Sequence, residues 1–163
     1  MIKVERTSTD RLLECAEEAV AYDVQYRKPW IVFDRDELPA FDQIISDAAK
    51  RGIHVGWSNP CFEIWLYAYF GQMPVIGEST KCCRDFGVEF RNRVKRTYKK
   101  ADPHLYASLL ENGNEENAIA VAASKIKQHR REGKEKPTEM CPATMVHVLV
   151  QEIREKTKGC GGT

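Results

Sequence analysis

The sequence predicts an α/β domain with a parallel sheet and flanking helices, followed by a helical C-terminal half. Three observations lead there. Trp30-Ile31-Val32-Phe33 is an unbroken apolar run, the pattern of a strand buried on both faces in a parallel sheet. Strand-like and helix-like stretches alternate through the first part of the chain, which favours parallel strands joined by right-handed crossovers. Beyond residue 72 helical periodicity takes over. The expected division is residues 1–72 and 73–158, with a frayed, disordered tail at 159–163.

Each element has a local reason. Ile2-Lys3-Val4 reads as a short opening strand. Thr7-Ser8-Thr9-Asp10 offers N-caps for a helix whose Leu12, Leu13, Cys15, Ala16, Ala19 and Val20 fall at helical spacing. Asp23 to Pro29 turns into the apolar strand, and Leu38-Pro39 closes it. Phe41, Ile44, Ile45, Ala48 and Ala49 mark the inner face of a second helix, with Gly52 where a capping glycine belongs. Ile53 to Trp57 is a third strand. Asn59, restricted by Pro60, suits the N-cap of the next helix, with Pro60 at its first position. That helix, Cys61 to Phe70, is apolar nearly all round and must be buried, with Glu63 its sole charge. A loop from Gly71 to Thr80 leads to a basic helical stretch, Lys81 to Lys100. A short helix around Leu105, Leu109 and Leu110 is broken at Asn112-Gly113-Asn114. An alanine-rich helix from Asn117 to Arg131, a polar and mobile-looking connection from Gly133 to Pro142, and a last helix from Thr144 to Lys156 complete the chain.

The bulk properties narrow the class. A chain of 163 residues suits one domain that buries roughly two-thirds of its unfolded surface. The longest apolar run, Ile64 to Phe70, falls far short of the ~20 residues of a membrane span. Met1 leads directly into charged and polar residues, so no secretory signal is expected and the cytosol is favoured. The net charge of +1 conceals an asymmetry: residues 1–72 carry 8 basic and 12 acidic side chains, residues 73–136 carry 14 and 9. An acidic part followed by a basic one suits a metal centre that works on a polyanion. The six cysteines (Cys15, Cys61, Cys82, Cys83, Cys141 and Cys160) contain no CxxC pair, and the four histidines have no zinc-finger spacing. Free reduced thiols are therefore expected. Cys82-Cys83 could join a metal site in space, although nothing in the spacing says so.

The candidate chemistry sits at the end of the apolar strand. Asp34 and Asp36 stand two apart and would point to the same side of an extended strand. Ligands of open α/β sheets bind outside the carboxyl ends of strands. Two close carboxylates repel unless a cation neutralises them, and hard divalent ions take oxygen ligands. A Mg²⁺-type site is the reading; an acidic loop, with Arg35 pairing to a neighbour, is the plain alternative. A helix N-terminus stabilises an anion by only about 0.3–1 kcal/mol. That is too little to offset full burial, so Glu63 should reach solvent, a donor or the metal site. Asn59 and Glu63 would lie near the two aspartates if the strands are neighbours. Downstream, Arg91, Lys95 and Lys99 fall four apart on one helical stripe, flanked by Arg93, Arg96 and Lys100, with Tyr98 available for stacking. This is either a phosphate-backbone surface or a solvated charged face. Lys125, Lys127, His129, Arg130, Arg131, Lys134 and Lys136 form a second basic cluster.

Taken together, Val32-Phe33-Asp34-Arg35-Asp36-Glu37 and Ser58-Asn59-Pro60-Cys61-Phe62-Glu63-Ile64-Trp65-Leu66 resemble the RloB-like family. Cys141-Pro142-Ala143-Thr144 through Val150 resembles that family's C-terminal helix, and the helix around Ala118 and Ala122 fits too. RloB-like proteins are similar to Toprim-fold proteins, which include topoisomerases, primases and nucleases. The resemblance implies a Toprim-like sheet in which Asp34 and Asp36 hold Mg²⁺ (or Mn²⁺). It implies a nuclease acting on RNA or DNA, in an anti-phage defence setting, with an ABC/AAA-type ATPase partner. One departure is noted: the family usually opens with a strand ending in Glu-Gly, and this chain starts too late to contain it. Glu5 follows a strand, but Arg6-Thr7 does not match.

The leading expectation is a Mg²⁺-dependent nuclease. Asp34 and Asp36 would be metal ligands, Glu37 and Glu63 outer-shell or general-base carboxylates, and Asn59 an orienting residue. Arg91, Arg93, Lys95, Arg96, Lys99 and Lys100 would contact nucleic acid. The alternative is a non-catalytic or incomplete Toprim-like module that binds nucleic acid or an ATPase without cutting. A cysteine-ligated zinc protein is a third reading. Homo-oligomerisation is open, and no membrane association is expected.

Overall fold

The computed structural model describes residues 7–22 and 28–159. The expected strand at Ile2-Lys3-Val4, Glu5, most of the turn before Pro29 and the tail from Cys160 lie outside them. Within them the chain is mixed α/β, with helices around a small sheet. A short 3₁₀ turn, Thr9–Arg11, leads into α1, Leu12–Tyr22. Ser8, the cap residue of that turn, makes no side-chain cap bond. Strand β1, Trp30–Asp34, pairs in parallel with β2, His54–Asn59, through the crossover helix α2, Phe41–Lys50. Gly52 follows α2 at φ +70°, the left-handed geometry that a glycine supplies without strain.

The sheet departs from the all-parallel expectation. A two-residue strand β3, Ala143–Thr144, adds antiparallel to β2 and gives the order β1-β2-β3. Two residues are too few for a period-two signal, so this strand is invisible in the sequence. It shortens the last helix, α7, which runs Val146–Gly159 rather than from Thr144. Nor is β1 buried on both faces: Val32 is 41% exposed, and among the described residues β1 pairs with β2 alone.

Asn59 is not a helix cap. It ends β2, opposite Ala143, and α3 begins at Glu63 and ends at Ala68. The ladder captures Asn59, so the helix starts three residues later than Pro60 suggests. Every residue of α3 is buried, as its all-round apolarity requires. It packs against α4, Ser79–Val94, and α6, Glu115–Arg131, with α5, Leu105–Asn112, between those two in the chain. The largest core cluster joins Cys61, Ile64 and Trp65 with Phe86, Phe90, Leu109 and Ala122, residues from both sides of position 72. At its centre Phe86 meets Tyr67 at 5.0 Å and Tyr98 at 4.8 Å between ring centroids, both edge-to-face.

Asn114 caps α6 by accepting a hydrogen bond from the Asn117 backbone N–H at 2.8 Å. Gly113 just before it has no room for a side chain: a Cβ would stand 2.7 Å from the Tyr69 carbonyl oxygen. The connection from Gly133 to Pro142 is polar but tied down. It contains a 3₁₀ turn, Pro137–Glu139, and its Thr138 donates N–H and O–H to the Asp42 carboxylate at 2.9 and 2.6 Å. Arg35 and Asn59 donate to its carbonyls, and its own Met140 is buried. Polarity predicted mobility because each of these partners is distant in sequence.

Candidate functional site

The pairing of β1 with β2 sets the position of Asp34, which lies opposite Ser58. It continues past the strand: Arg35 N–H donates to the Ser58 carbonyl and Asp36 N–H to the Pro60 carbonyl, each at 2.9 Å. Asp36 therefore sits in a turn, at φ +37°, a region that Asp enters more readily than most residues. This corrects the expectation of two carboxylates on the same side of an extended strand, since the strand ends at Asp34. The turn, fixed by β2, brings Asp36 to Asp34 instead.

The electrostatics of the pair follow from that arrangement. Partial burial, reinforced by the Asp36 charge, pushes the Asp34 carboxyl above its usual range. The Phe62 backbone N–H, which donates to Oδ2 at 3.2 Å, and the Lys100 charge act in the other direction. Among the described residues neither Asp34 nor Asp36 belongs to an ion pair. Two mutually repelling oxygen donors at a strand end fit a hard divalent cation. Glu37 is exposed in the same turn. Asn59 is buried and points elsewhere, its amide donating to the Pro137 and Thr138 carbonyls at 3.0 and 3.3 Å.

Glu63 opens α3 and is 1% exposed. Its Oε1 accepts the Tyr98 hydroxyl at 2.9 Å and lies 3.2 Å from the Lys100 ammonium. Burial works to raise this carboxyl. The nearby Cys83 and Cys61 thiols, its own backbone N–H and Lys100 more than offset that and hold it below the usual carboxylate range. The two Sγ atoms and a Glu63 carboxylate oxygen all lie within 4.8 Å of one another. The thiols are thus close enough to act on the charge, yet Oε2 has no hydrogen-bond partner. Lys100 answers in kind: partial burial would lower its ammonium, but Glu63 pushes it up. Lys100 is felt by both Asp34 and Glu63, and so links the two acids.

The basic stripe is rearranged. Helix α4 stops at Val94 because Lys95 adopts the left-handed conformation at φ +61°, with its N–H donating to the Arg91 carbonyl. Arg91, Lys95 and Lys99 therefore do not share one helical face, although all three are exposed. Arg93 pairs with Glu89 at 2.9 Å and lies over the Phe70 ring. Arg96 donates to the Ser108 hydroxyl at 3.1 Å and pairs with Asp102 at 3.5 Å. Lys100 turns inward to Glu63 rather than out to solvent contacts alone. Tyr98, marked for stacking, is instead partly buried against the core, with its hydroxyl on Glu63.

In the second cluster His129 is buried, its Nε2–H donating to the Pro142 carbonyl and its Nδ1 accepting from Lys134, both at 2.9 Å. Those partners define the tautomer. His129 and Lys134 are thereby structural, while Lys127, Arg130, Arg131 and Lys136 remain exposed.

The fold and this site together define a mixed α/β protein with an acid pair at a strand end and exposed basic residues in its helical part. A family model for RloB-like protein matches residues 2–153, and the chain belongs to that family. No curated protein and no solved structure matches it. Among the described residues no helix is long and apolar enough to cross a membrane. The five cysteines within them are free, as expected.

Proposed function

We propose that this protein is a divalent-metal-dependent nuclease, a phosphodiester-cleaving effector of anti-phage defence that works with an ABC/AAA-type ATPase in the cytoplasm. The observation that carries the reading is the Asp34–Asp36 pair: two carboxylates at the end of β1, close enough for the Asp36 charge to act on Asp34, with no ion-pair partner among the described residues. Asp34 and Asp36 would hold Mg²⁺ or Mn²⁺ in a Toprim-like manner. Such an ion supplies charge neutralisation at the phosphate and a water acidic enough to attack it. Arg91, Lys95 and Lys99, exposed on the same C-terminal part, would meet the nucleic-acid backbone. Membership of the RloB-like family supports the wider setting of defence and an ATPase partner.

One observation favours the alternative, a binding module that does not cut. Of the five residues expected at the site, Asn59 and Glu63 are engaged elsewhere. The deciding experiment incubates purified protein, alone and with an ABC/AAA-type ATPase as the proposed partner, with RNA and DNA in Mg²⁺ or Mn²⁺. The nuclease reading requires cleavage that chelator and Asp34→Asn each abolish. Binding without cleavage, lost on charge reversal at Arg91, Lys95 and Lys99 but intact in Asp34→Asn, establishes the alternative.

A further inference from the structure

We propose that Cys61, Cys83 and Glu63 form a binding site for a thiophilic divalent metal of the zinc class, separate from the Asp34–Asp36 pair. Three observations converge on it. The Cys61 and Cys83 sulfurs are 3.9 Å apart. Two sulfurs each ~2.3 Å from a tetrahedral zinc stand ~3.8 Å from one another. The thiols are therefore already spaced as a zinc-bound pair, with a Glu63 carboxylate oxygen within 4.8 Å of both.

The second observation is the division of labour on Glu63. Oε1 takes the Tyr98 hydroxyl and the Lys100 ammonium, whereas Oε2 is buried without a partner. A buried orphan oxygen of a carboxylate is costly, and a metal ion satisfies it. The bonds to Oε1 then act as an outer shell that fixes the carboxylate's orientation. The third is charge. Binding releases the two thiol protons to solvent, and M²⁺ with two thiolates and one carboxylate carries a single negative charge. Lys100, beside the cluster, balances it.

The site has a structural consequence. Cys61 and Glu63 flank Phe62, whose N–H holds Asp34, and Cys83 belongs to α4. A metal there would brace the Cys61–Glu63 segment, which holds Asp34 through the Phe62 N–H, against α4. Three protein ligands leave the fourth position for water.

The test is Co²⁺ titration of the reduced full-length protein, with Zn²⁺ as competitor. The expected result is a thiolate-to-cobalt charge-transfer band that saturates at one equivalent and is abolished by Zn²⁺. It is lost in Cys83→Ser and kept in Cys15→Ser and Asp34→Asn. A parallel measurement needs no variant: Zn²⁺ should slow alkylation of Cys83 by iodoacetamide about tenfold or more while Cys15 reacts unchanged, because a coordinated thiolate is a poor nucleophile. No charge-transfer band, a band unaltered in Cys83→Ser, or equal Cys83 alkylation with and without Zn²⁺ overturns the proposal. The Asp34→Asn control separates its failure from failure of the nuclease reading.

Discussion

Replacing Tyr98 by Phe isolates the support that the buried Glu63 carboxylate receives from a neutral donor. The ring itself stays: Tyr98 meets Phe86 at 4.8 Å and Phe90 at 5.7 Å between centroids, and Phe preserves those contacts. Only the hydroxyl that donates to Oε1 at 2.9 Å is lost. A hydrogen bond to a charged group contributes ~1.5–3 kcal/mol. Lys100 remains 3.2 Å from the same oxygen, so Oε1 is not orphaned and the loss falls at the lower end, ~1.5–2 kcal/mol. For a chain of this size that lowers Tm by roughly 3–8 °C. Urea unfolding with an unchanged m-value is the assay, run as a double-mutant cycle with Glu63→Gln. The pair should couple by about 1 kcal/mol or more. Additive losses would mean that the Tyr98–Glu63 bond does not stabilise the fold, and the account of this carboxylate would fail.

The remaining predictions concern positions whose roles differ in kind. Gly113→Ala should cost ~1–3 kcal/mol, since its Cβ must displace the Tyr69 and Leu109 carbonyls, which are backbone and yield little; calorimetry showing an unchanged Tm would contradict this. Asn59→Ala should destabilise by ~1–3 kcal/mol through the orphaned Pro137 and Thr138 carbonyls, while metal affinity at Asp34 stays within about twofold; a selective loss of metal binding at intact stability would return Asn59 to the site. The two acids should also give opposite pH signatures. Asp34, raised by burial and by Asp36, holds its proton more tightly when folded, so metal-free protein loses stability as pH rises from the unfolded carboxylate value through the raised one. Asp34→Asn should abolish that loss. Glu63 is depressed, so its stabilisation is present above the usual carboxylate value and fades as pH falls through its native value. Denaturant midpoints of both variants against pH check the signs, and reversed signs would refute the environments assigned to them.

Much of the acid pair was legible because it depends on local pattern. An apolar run ending in Asp34 announces a strand end, and two aspartates within three positions announce a charge problem there. The all-round apolarity of Ile64 to Ala68 likewise announced burial, and with it the need of Glu63 for a donor. The donors themselves were not legible. Tyr98 and Lys100 reach Glu63 only because Lys95 turns left-handed and folds the chain back, and nothing in Val94-Lys95-Arg96 departs from helical composition. Cys61 and Cys83 come together through the packing of α3 on α4, not through a spacing motif. The tethering of Pro137 to Glu139 was hidden for the same reason: Asp42, Asn59 and Arg35 lie some 80–100 positions away in the chain.

The proposed function depends on the Asp34–Asp36 pair as a cation site, and Mn²⁺ binding followed by electron paramagnetic resonance tests it most directly. The predicted result is a single Mn²⁺ site per chain, displaced by Mg²⁺, weakened about tenfold or more in both Asp34→Asn and Asp36→Asn, and unchanged in Cys83→Ser. Absence of a bound-Mn²⁺ signal, or equal affinity in wild type and both aspartate variants, would contradict it.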